Sequence, residues 1–244
     1  MRHLSGRERL IVALDVPTHE AALRLVDRLD NVSTFKIGLE LLMAGDVAGL
    51  IRRLRRERGE GCGVFVDLKI GGDIPNTVGA FIRSCMEAGV RFVTLVEAVP
   101  ASLTTTSVAV ARQVRGDAPE PKLLIVPLLS SQNATDIGDA GADLGLYIAS
   151  RARRMLEAGC DGLIVSGEAI GTCRTVLGPE TVIVSPGIRP TWWGSNDHKR
   201  PMTPAEAIRL GADYLVVGRP ICLSSNPKTA AQRVIDEVDG VIST

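Results

Sequence analysis

The chain has 244 residues, of which 45% are hydrophobic and 23% are charged. That composition is typical of a globular protein of one or two domains and excludes a disordered or collagen-like chain. Lysine and arginine number 28, and aspartate and glutamate also number 28, so no overall field attracts nucleic acid or an anionic membrane. We therefore expect any bound anion to be held by a local site.

The sequence also lacks the signals of membranes, secretion and metals. No apolar stretch approaches the 18 or so residues that span a bilayer, and the first nine residues lack the apolar core of a signal peptide. The five cysteines form no C-x-x-C pair, and the three histidines have no metal-ligand spacing. We expect a cytoplasmic protein with reduced cysteines and no metal.

Eight short apolar runs recur along the chain, nearly continuous as in strands buried on both faces of a parallel sheet. The predicted strands are Leu10–Val16, Thr34–Leu41, Gly63–Ile70, Arg91–Ala98, Lys122–Leu129, Asp161–Gly167, Thr181–Ile188 and Asp213–Ile221. Their starts advance from residue 10 to residue 213 in seven steps of about 29 residues, the size of one βα unit.

Helical patterns separate these runs. Val78, Ile82 and Cys85 have the spacing of one buried helical face. The segment Thr203-Pro204-Ala205-Glu206 combines the cap, the proline and the glutamate of a helix start. Glycines placed two residues before a predicted strand mark three helix ends, at Gly89, Gly159 and Gly211.

Eight βα units without a dividing linker predict an α/β fold, a single (β/α)₈ TIM barrel over residues 1–244. A doubly wound open sheet is the alternative. The basic run Arg52–Arg58 is interpreted as the solvated face of an outer helix and not as an RNA or phosphate patch, because Glu57 and Glu60 dilute its charge.

Charged residues interrupt the first three apolar runs. Asp15 and Lys36 lie in the first two, Asp67 and Lys69 alternate in the third, and Asp73 follows a Gly-Gly pair. Alternate strand residues face the same side, and barrel chemistry lies at the carboxyl ends of the strands, so we expect these charges to converge. Buried charges are seldom kept without a use, although structural ion pairs at the barrel mouth are the alternative. A lysine between carboxylates stays protonated and can donate a proton.

The ends of the last two strands carry the features of a phosphate site. The segment SPGIRP closes the seventh run with Pro186 and Gly187, and VGRP closes the eighth with Gly218 and Arg219. Glycine lets backbone N–H groups approach an anion, and arginine supplies a bidentate fork. A turn glycine with a surface arginine is the alternative interpretation.

The segment from Pro190 to Pro201 is rich in turn formers and too long for a simple connection, which predicts a lid. Trp192 and Trp193 either exclude water from a site or pack the loop onto the barrel. His198 is expected to make a polar contact and not to bind a metal.

Five segments resemble the orotidine 5′-phosphate decarboxylase family: LIVALDVP, FKIGLEL, VFVDLKIGGDIPNTV, SPGIRP and the tail DHKR-x-MTPAEAIRLGADYLVVGRPI. The resemblance extends over nearly the whole chain, with the motifs in the family's order. It implies a dimeric barrel that makes UMP from orotidine 5′-monophosphate in pyrimidine synthesis without a cofactor.

The resemblance also implies a role for each matching residue. Lys36, Asp67, Lys69 and Asp73 form an alternating charged array, in which Lys69 protonates C6 and Asp73 reaches into the partner subunit's site. The implied substrate contacts are the ribose at Asp15 and Lys36, a cross-subunit contact at Thr77, the pyrimidine at Ser130 and the phosphate at Gly218 and Arg219, with Pro186, Gly187 and His198 as further binding candidates.

Two positions depart from the family's pattern. The usual spacing is D-x-K-x-x-D, whereas the segment from Asp67 to Asp73 has one extra residue. We expect the Gly71-Gly72 pair to absorb that residue as a bulge. His198 stands where the lid usually carries a glutamine, so the contact from the lid to phosphate and base is expected to differ.

Two other functions stay open on the sequence. A metal-dependent sugar-phosphate lyase or decarboxylase would share the D-x-K segment, with Glu40 and Glu97 as candidate carboxylates for Mg²⁺. A non-catalytic barrel that binds a phosphate ligand is the second, because fold does not fix function. The intact Asp67 and Lys69 pair argues against it.

Overall fold

The computed structural model describes residues 4–59, 61–71, 73–97, 101–138, 141, 143–193 and 202–243. Within them, eight parallel strands close into a barrel in chain order, which confirms the predicted (β/α)₈ fold over the open sheet. The strands are β1 Leu10–Ala13, β2 Thr34–Ile37, β3 Gly63–Ile70, β4 Phe92–Val96, β5 Lys122–Val126, β6 Gly162–Ile164, β7 Val182–Ser185 and β8 Tyr214–Val217.

The described helices surround the barrel, and their capping follows the sequence. They are α1 Gly6–Arg9, α2 His19–Asp27, α3 Leu39–Leu42, α4 Val47–Arg58, α5 Pro75–Ala88, α6 Ala101–Arg115, α7 Leu144–Ala158, α8 Ala169–Leu177, α9 Pro204–Arg209, α10 Arg219–Cys222 and α11 Pro227–Ile242. The predicted capping box of Thr203 and Glu206 begins α9, and Gly89 ends α5 in the left-handed conformation. No helix in these ranges is both long and apolar enough to cross a bilayer.

The core has two layers, one inside the barrel and one between the strands and the helices. Inside the barrel, the Phe92 ring meets Phe65 edge-on at 5.8 Å and Tyr214 at 5.0 Å between centroids. The predicted apolar face of α5, with Val78, Ile82 and Cys85, is buried in the outer layer. A filled interior leaves the carboxyl ends of the strands as the place for a site.

Seven of the eight predicted strands extend past the observed strand ends, all but Gly63–Ile70, and two of them continue into helical turns. The run Thr34–Leu41 leaves the sheet after Ile37 and turns into α3, and the run Asp213–Ile221 leaves it after Val217 and turns into α10. Leu41 and Ile221 remain fully buried beyond the strands. The apolar sequence therefore extends beyond the end of the strand. An apolar run alone does not distinguish a buried strand from a buried helical turn.

The basic run lies on the outer helix α4, as predicted. Arg55 donates to the carbonyl of Gly89, and Arg58 donates to the carbonyl of Leu29, each at 2.8 Å. These arginines bind the ends of neighbouring elements, so the run has a structural use that requires no nucleic acid.

Candidate active site

A cavity at the carboxyl ends of the strands is lined by both polar and apolar side chains. Its polar lining comes from Lys36, Asp67, Lys69, Ser130 and Ser166. The apolar lining comes from Phe65, Val126, Leu128, Leu129, Ile164, Val165, Pro186 and Val216. The cavity therefore suits a ligand that has a flat apolar face and a charged edge.

Four of the predicted charges converge into a row. Lys36 Nζ lies 3.2 Å from Asp15 Oδ1 and 3.4 Å from Asp67 Oδ2. Lys69 Nζ lies 3.0 Å from Asp67 Oδ1. Negative and positive groups alternate along β1, β2 and β3, so each inner charge has an opposite neighbour on both sides. The four side chains occupy the strand ends at which they were expected.

Burial differs along this row. The Lys36 and Asp67 side chains are 11% and 15% exposed, whereas Lys69 is 39% exposed. Burial alone would raise the pKa of Asp67, but the charges of Lys36 and Lys69, together with hydrogen bonds from Lys69 and Thr94, outweigh it and hold the pKa below its ordinary value. Asp67 is thus held as an anion, and Lys69 is the more exposed of the two lysines that line the cavity.

Lys69 combines this charge with an unusual backbone. Its φ is +52°, in the left-handed region that residues with a Cβ adopt at a cost of about 1–3 kcal/mol. Pairing between β3 and β4 is irregular here: Val66 pairs with Val93 but Ile70 pairs with Leu95, so four steps along β3 match two along β4. This irregularity precedes Gly71. Gly72 lies outside the described residues, so the bulge expected at Gly71-Gly72 stays a prediction.

Two polar residues of this region were missed by the sequence reasoning. Thr94, on β4, donates from Oγ1 to Asp67 Oδ1 at 2.9 Å and accepts the Lys69 backbone N–H at 2.9 Å. Ser166 lines the cavity just beyond β6. Ser166 follows an apolar run as the predicted charges do, so the same signal would have found it. Thr94 gives no such signal, since threonine is common in strands.

Asp73 and Thr77 lie apart from the charged row of their own chain. Both are exposed at the start of α5, and Asp73 Oδ1 accepts the backbone N–H of Ile74 at 2.6 Å. No contact of Asp73 with a lysine is found in the described chain. The predicted role of these two residues in a partner's site stays a prediction.

The phosphate candidates lie at the same end of the barrel. Gly187 follows β7 with φ of +78°, and Pro186 lines the cavity. Gly218 and Arg219 follow β8, and a Cβ on Gly218 would lie 3.7 Å from Asp15 Oδ2, so the end of β8 adjoins the charged row. Arg219 is exposed to solvent.

The base of the predicted lid packs on the barrel. Trp192 contacts the outer core, and the Arg233 guanidinium of α11 lies 4.4 Å from the centroid of its ring. For Trp192 the packing role is therefore the observed one. His198 and its neighbours from 194 to 201 lie outside the described residues.

Glu40 and Glu97, the carboxylates considered as Mg²⁺ ligands, lie in different surroundings. The Glu97 side chain is 1% exposed and pairs with Arg151 at 2.5 Å and Arg154 at 2.9 Å, both on α7. Glu40 is exposed on α3. Among the described residues, no three His, Cys, Asp or Glu side chains are grouped to hold a metal ion.

The fold and the site define a (β/α)₈-barrel enzyme with an alternating charged row at its strand ends. Residues 8–234 match the model of the orotidine 5′-phosphate decarboxylase / HUMPS family, and the chain belongs to that family. Curated orotidine 5′-phosphate decarboxylases of Rhodopseudomonas palustris (strain BisB5) and Methylobacterium radiotolerans are 43% and 40% identical to it. These matches span 96% and 95% of this chain and 96% of each relative.

The barrel is also similar to a solved structure. The orotidine 5′-phosphate decarboxylase of Lactobacillus acidophilus superposes with a TM-score of 0.76 at 27% identity, over 94% of this chain and 98% of that one. The resemblance stated from the motifs is thereby confirmed at the level of the family.

Proposed function

We propose that this carboxy-lyase converts orotidine 5′-monophosphate to UMP in pyrimidine biosynthesis, with Lys69 as the proton donor. The activity follows from relatives of 40–43% identity over nearly the full chain. The observation that supports the mechanism is the Lys69 ammonium, which lies 3.0 Å from Asp67 and is more exposed than Lys36 and Asp67.

In this proposal, each part of the substrate meets a different group of residues. The pyrimidine would lie on the apolar side, with Ser130 beside it and its reacting edge toward Asp67 and Lys69. The ribose would reach Asp15 and Lys36, which are joined at 3.2 Å. The phosphate would lie beyond Asp15, where Gly218 and Arg219 end β8, with Gly187 at the adjacent strand end.

The chemistry requires stabilisation of a carbanion. When the bond from C6 to the carboxylate carbon breaks, CO₂ leaves and its electron pair stays on C6. The fixed Lys69 ammonium stabilises that pair electrostatically and then gives it a proton, which leaves a neutral amine. Asp67 beside the substrate carboxylate adds repulsion that is relieved as CO₂ departs. Phosphate binding far from C6 would supply energy to hold the ring and close the lid.

The metal-dependent sugar-phosphate reaction finds less support. The relatives described above are orotidine 5′-phosphate decarboxylases, and Glu97 is already engaged by two arginines. These relatives also give no support to a non-catalytic barrel. We therefore propose that neither a metal nor a cofactor takes part.

The assembly we propose is a homodimer with shared sites. Asp73 and Thr77 are exposed beside Ile74, which is 67% exposed. The neighbouring segment after β2 exposes Leu39 and Met43, at 62% and 87%. A partner packed on these strand ends would bury the apolar side chains and receive Asp73 near its own Lys69.

We propose the cytoplasm as the compartment, because all five cysteines are free thiols.

One experiment tests the activity and the proton donor together. Purified protein is incubated with orotidine 5′-monophosphate and EDTA, and the loss of pyrimidine absorbance is followed. Wild type and Lys228→Ala should turn over, because Lys228 is an exposed lysine paired with Asp30 away from the cavity. Lys69→Ala should lose decarboxylation yet still bind UMP, because its charge acts mainly in the transition state.

Two results would overturn this proposal. Activity that EDTA abolishes and Mg²⁺ restores would favour the sugar-phosphate chemistry. A Lys69→Ala enzyme with near-normal kcat would remove Lys69 as the proton donor.

A further inference from the structure

Thr94 occupies the point at which β3 and β4 lose their register. It is 0% exposed, and it lies between Val93 and Leu95, the two residues that pair on either side of the irregularity. Its hydroxyl is bonded at once to the carboxylate of Asp67 and to the backbone N–H of Lys69, both at 2.9 Å. Because the N–H can only donate, the single hydroxyl proton points to Asp67, and the direction of both bonds is fixed.

We propose that Thr94 is a positioning residue for decarboxylation: its hydroxyl sets the Asp67 carboxylate and the Lys69 main chain in one geometry. The inference rests on the proposed function, in which Lys69 delivers the proton. The Lys69 backbone is held at φ of +52°, which persists only where the surroundings over-determine it. The Lys69 N–H donates to the Thr94 hydroxyl, and this hydrogen bond is the described contact that joins the Lys69 main chain to β4.

A loss of this hydroxyl should act on the rate more than on binding. Thr94 is fully buried and cannot touch a ligand in the cavity. Without it, both ends of the 3.0 Å contact between Lys69 Nζ and Asp67 Oδ1 lose a restraint. A displacement of about 1 Å at a reacting group can lower a rate by about 100-fold, so we expect kcat to fall by about that factor with KM changed little.

The proposal also has a consequence that is independent of turnover. The groups facing Asp67 are Lys36 from β2, Lys69 from β3 and Thr94 from β4, and Asp15 faces the other side of Lys36. The Thr94 hydrogen bond is one of the contacts that lower the pKa of Asp67. A variant without the hydroxyl should therefore show a higher Asp67 pKa, which ¹³C NMR of protein labelled at aspartate can follow.

Thr34 provides a matched control. It is also a fully buried threonine, 0% exposed, at the start of β2, and its hydroxyl accepts from Arg91 Nη1 at 3.2 Å at the opposite end of the barrel. Thr34→Val removes a buried hydroxyl of the same kind far from the charged row.

The test compares Thr94→Val, Thr94→Ser and Thr34→Val by steady-state kinetics and by the Asp67 titration. We expect Thr94→Val to lose about 100-fold in kcat at similar KM and to raise the Asp67 pKa. Thr94→Ser should restore most of both properties, and Thr34→Val should match wild type. If Thr94→Val does not fold, the same measurements are made on Thr94→Ala, which removes the hydroxyl without putting a methyl group in its place.

The outcomes separate this inference from the function on which it rests. A hydroxyl-free Thr94 variant with wild-type kcat and an unchanged Asp67 pKa would overturn the inference. An equal loss of kcat in Thr94→Val and Thr34→Val would also overturn it, because the effect would then be structural. If wild type itself does not decarboxylate the substrate, the proposed function fails, while the Asp67 titration still decides whether Thr94 sets the geometry.

Discussion

Lys69 combines the charge that we propose for catalysis with an unfavourable backbone conformation. Glycine adopts φ of +52° freely, whereas alanine does not. Lys69→Gly and Lys69→Ala both remove the ammonium, so their difference reports the backbone alone. We expect Lys69→Gly to have the higher free energy of unfolding, by about 1 kcal/mol. Urea denaturation of the two variants measures this difference, and a more stable alanine variant would contradict the left-handed conformation.

Asp67 should make part of the stability depend on pH. Its pKa is lowered in the folded protein, where the charges of Lys36 and Lys69 outweigh the effect of burial. The stabilisation is therefore fully present above the unfolded value of 3.8 and is lost as the pH falls through the folded pKa. Denaturation of wild type and Asp67→Asn is measured from neutral to acid pH. Their free energies of unfolding should converge as the pH falls through the folded pKa of Asp67, below 3.8. A constant difference would contradict the shift.

At this scale the sequence predicted charges better than it predicted conformation. Asp15, Lys36, Asp67 and Lys69 were found because a charge within a buried apolar run is costly and therefore conspicuous. The left-handed backbone of Lys69 was not found, since no local residue type signals it. It arises from how β3 pairs with a strand more than 20 residues away.

At the scale of the elements, the close approach of β3 to β4 requires glycine at position 71. A Cβ there would lie 2.3 Å from the Val96 carbonyl oxygen and 2.6 Å from its Cγ1. We expect Gly71→Ala to destabilise the protein by about 1–3 kcal/mol, because the obstruction is backbone and cannot rotate away.

Gly240→Ala is the control for that variant. Gly240 lies inside α11, and a Cβ there would meet nothing within 4 Å. Alanine should therefore stabilise this helix, by up to about 1 kcal/mol. Urea denaturation measures the free energy of unfolding of both variants. If Gly71→Ala changed it as Gly240→Ala does, β3 and β4 would be able to separate at Gly71 at little cost.

Elements were predicted reliably where periodicity was long and poorly at their ends. The face of α5 and the capping box of α9 follow from side-chain chemistry within a few residues. The turns after β2 and β8 were missed, because Leu41 and Ile221 are as buried in α3 and α10 as they would be in strands. Tertiary packing, not local propensity, decides where those strands end.

For the whole molecule, the proposed shared site predicts complementation between inactive subunits. Asp73→Ala and Lys69→Ala proteins, each inactive alone, should regain activity when mixed under conditions that allow subunit exchange. Random exchange makes about half of the dimers mixed, and each mixed dimer has one intact site of two, so about a quarter of wild-type activity should return. Turnover of orotidine 5′-monophosphate measures it.

A second measurement keeps that prediction decisive. Subunit exchange is verified independently, for example by native mass spectrometry of one labelled protein. Exchange without any recovered activity would mean that Asp73 serves its own chain. The extra residue before it would then have redirected the segment that begins α5.

The barrel was predictable as a whole because eight buried runs at a regular spacing have few other solutions. The proposed homodimer does not follow from the pattern of residues alone. Leu39, Met43 and Ile74 are exposed apolar residues at the ends of β2 and β3, and singly they carry no periodic signal.

The pairing of β1 with β8 has a consequence for the time at which the protein is made. Leu10 pairs with Leu215, so the first strand waits for a partner translated about 200 residues later. At about 5–20 residues per second the ribosome needs about 10–40 s to reach it. Throughout that interval one edge of β1 presents unpaired backbone groups. The nascent chain is thus most open to aggregation before the last strand leaves the ribosome, and the finished barrel, which has no edge, is protected from it.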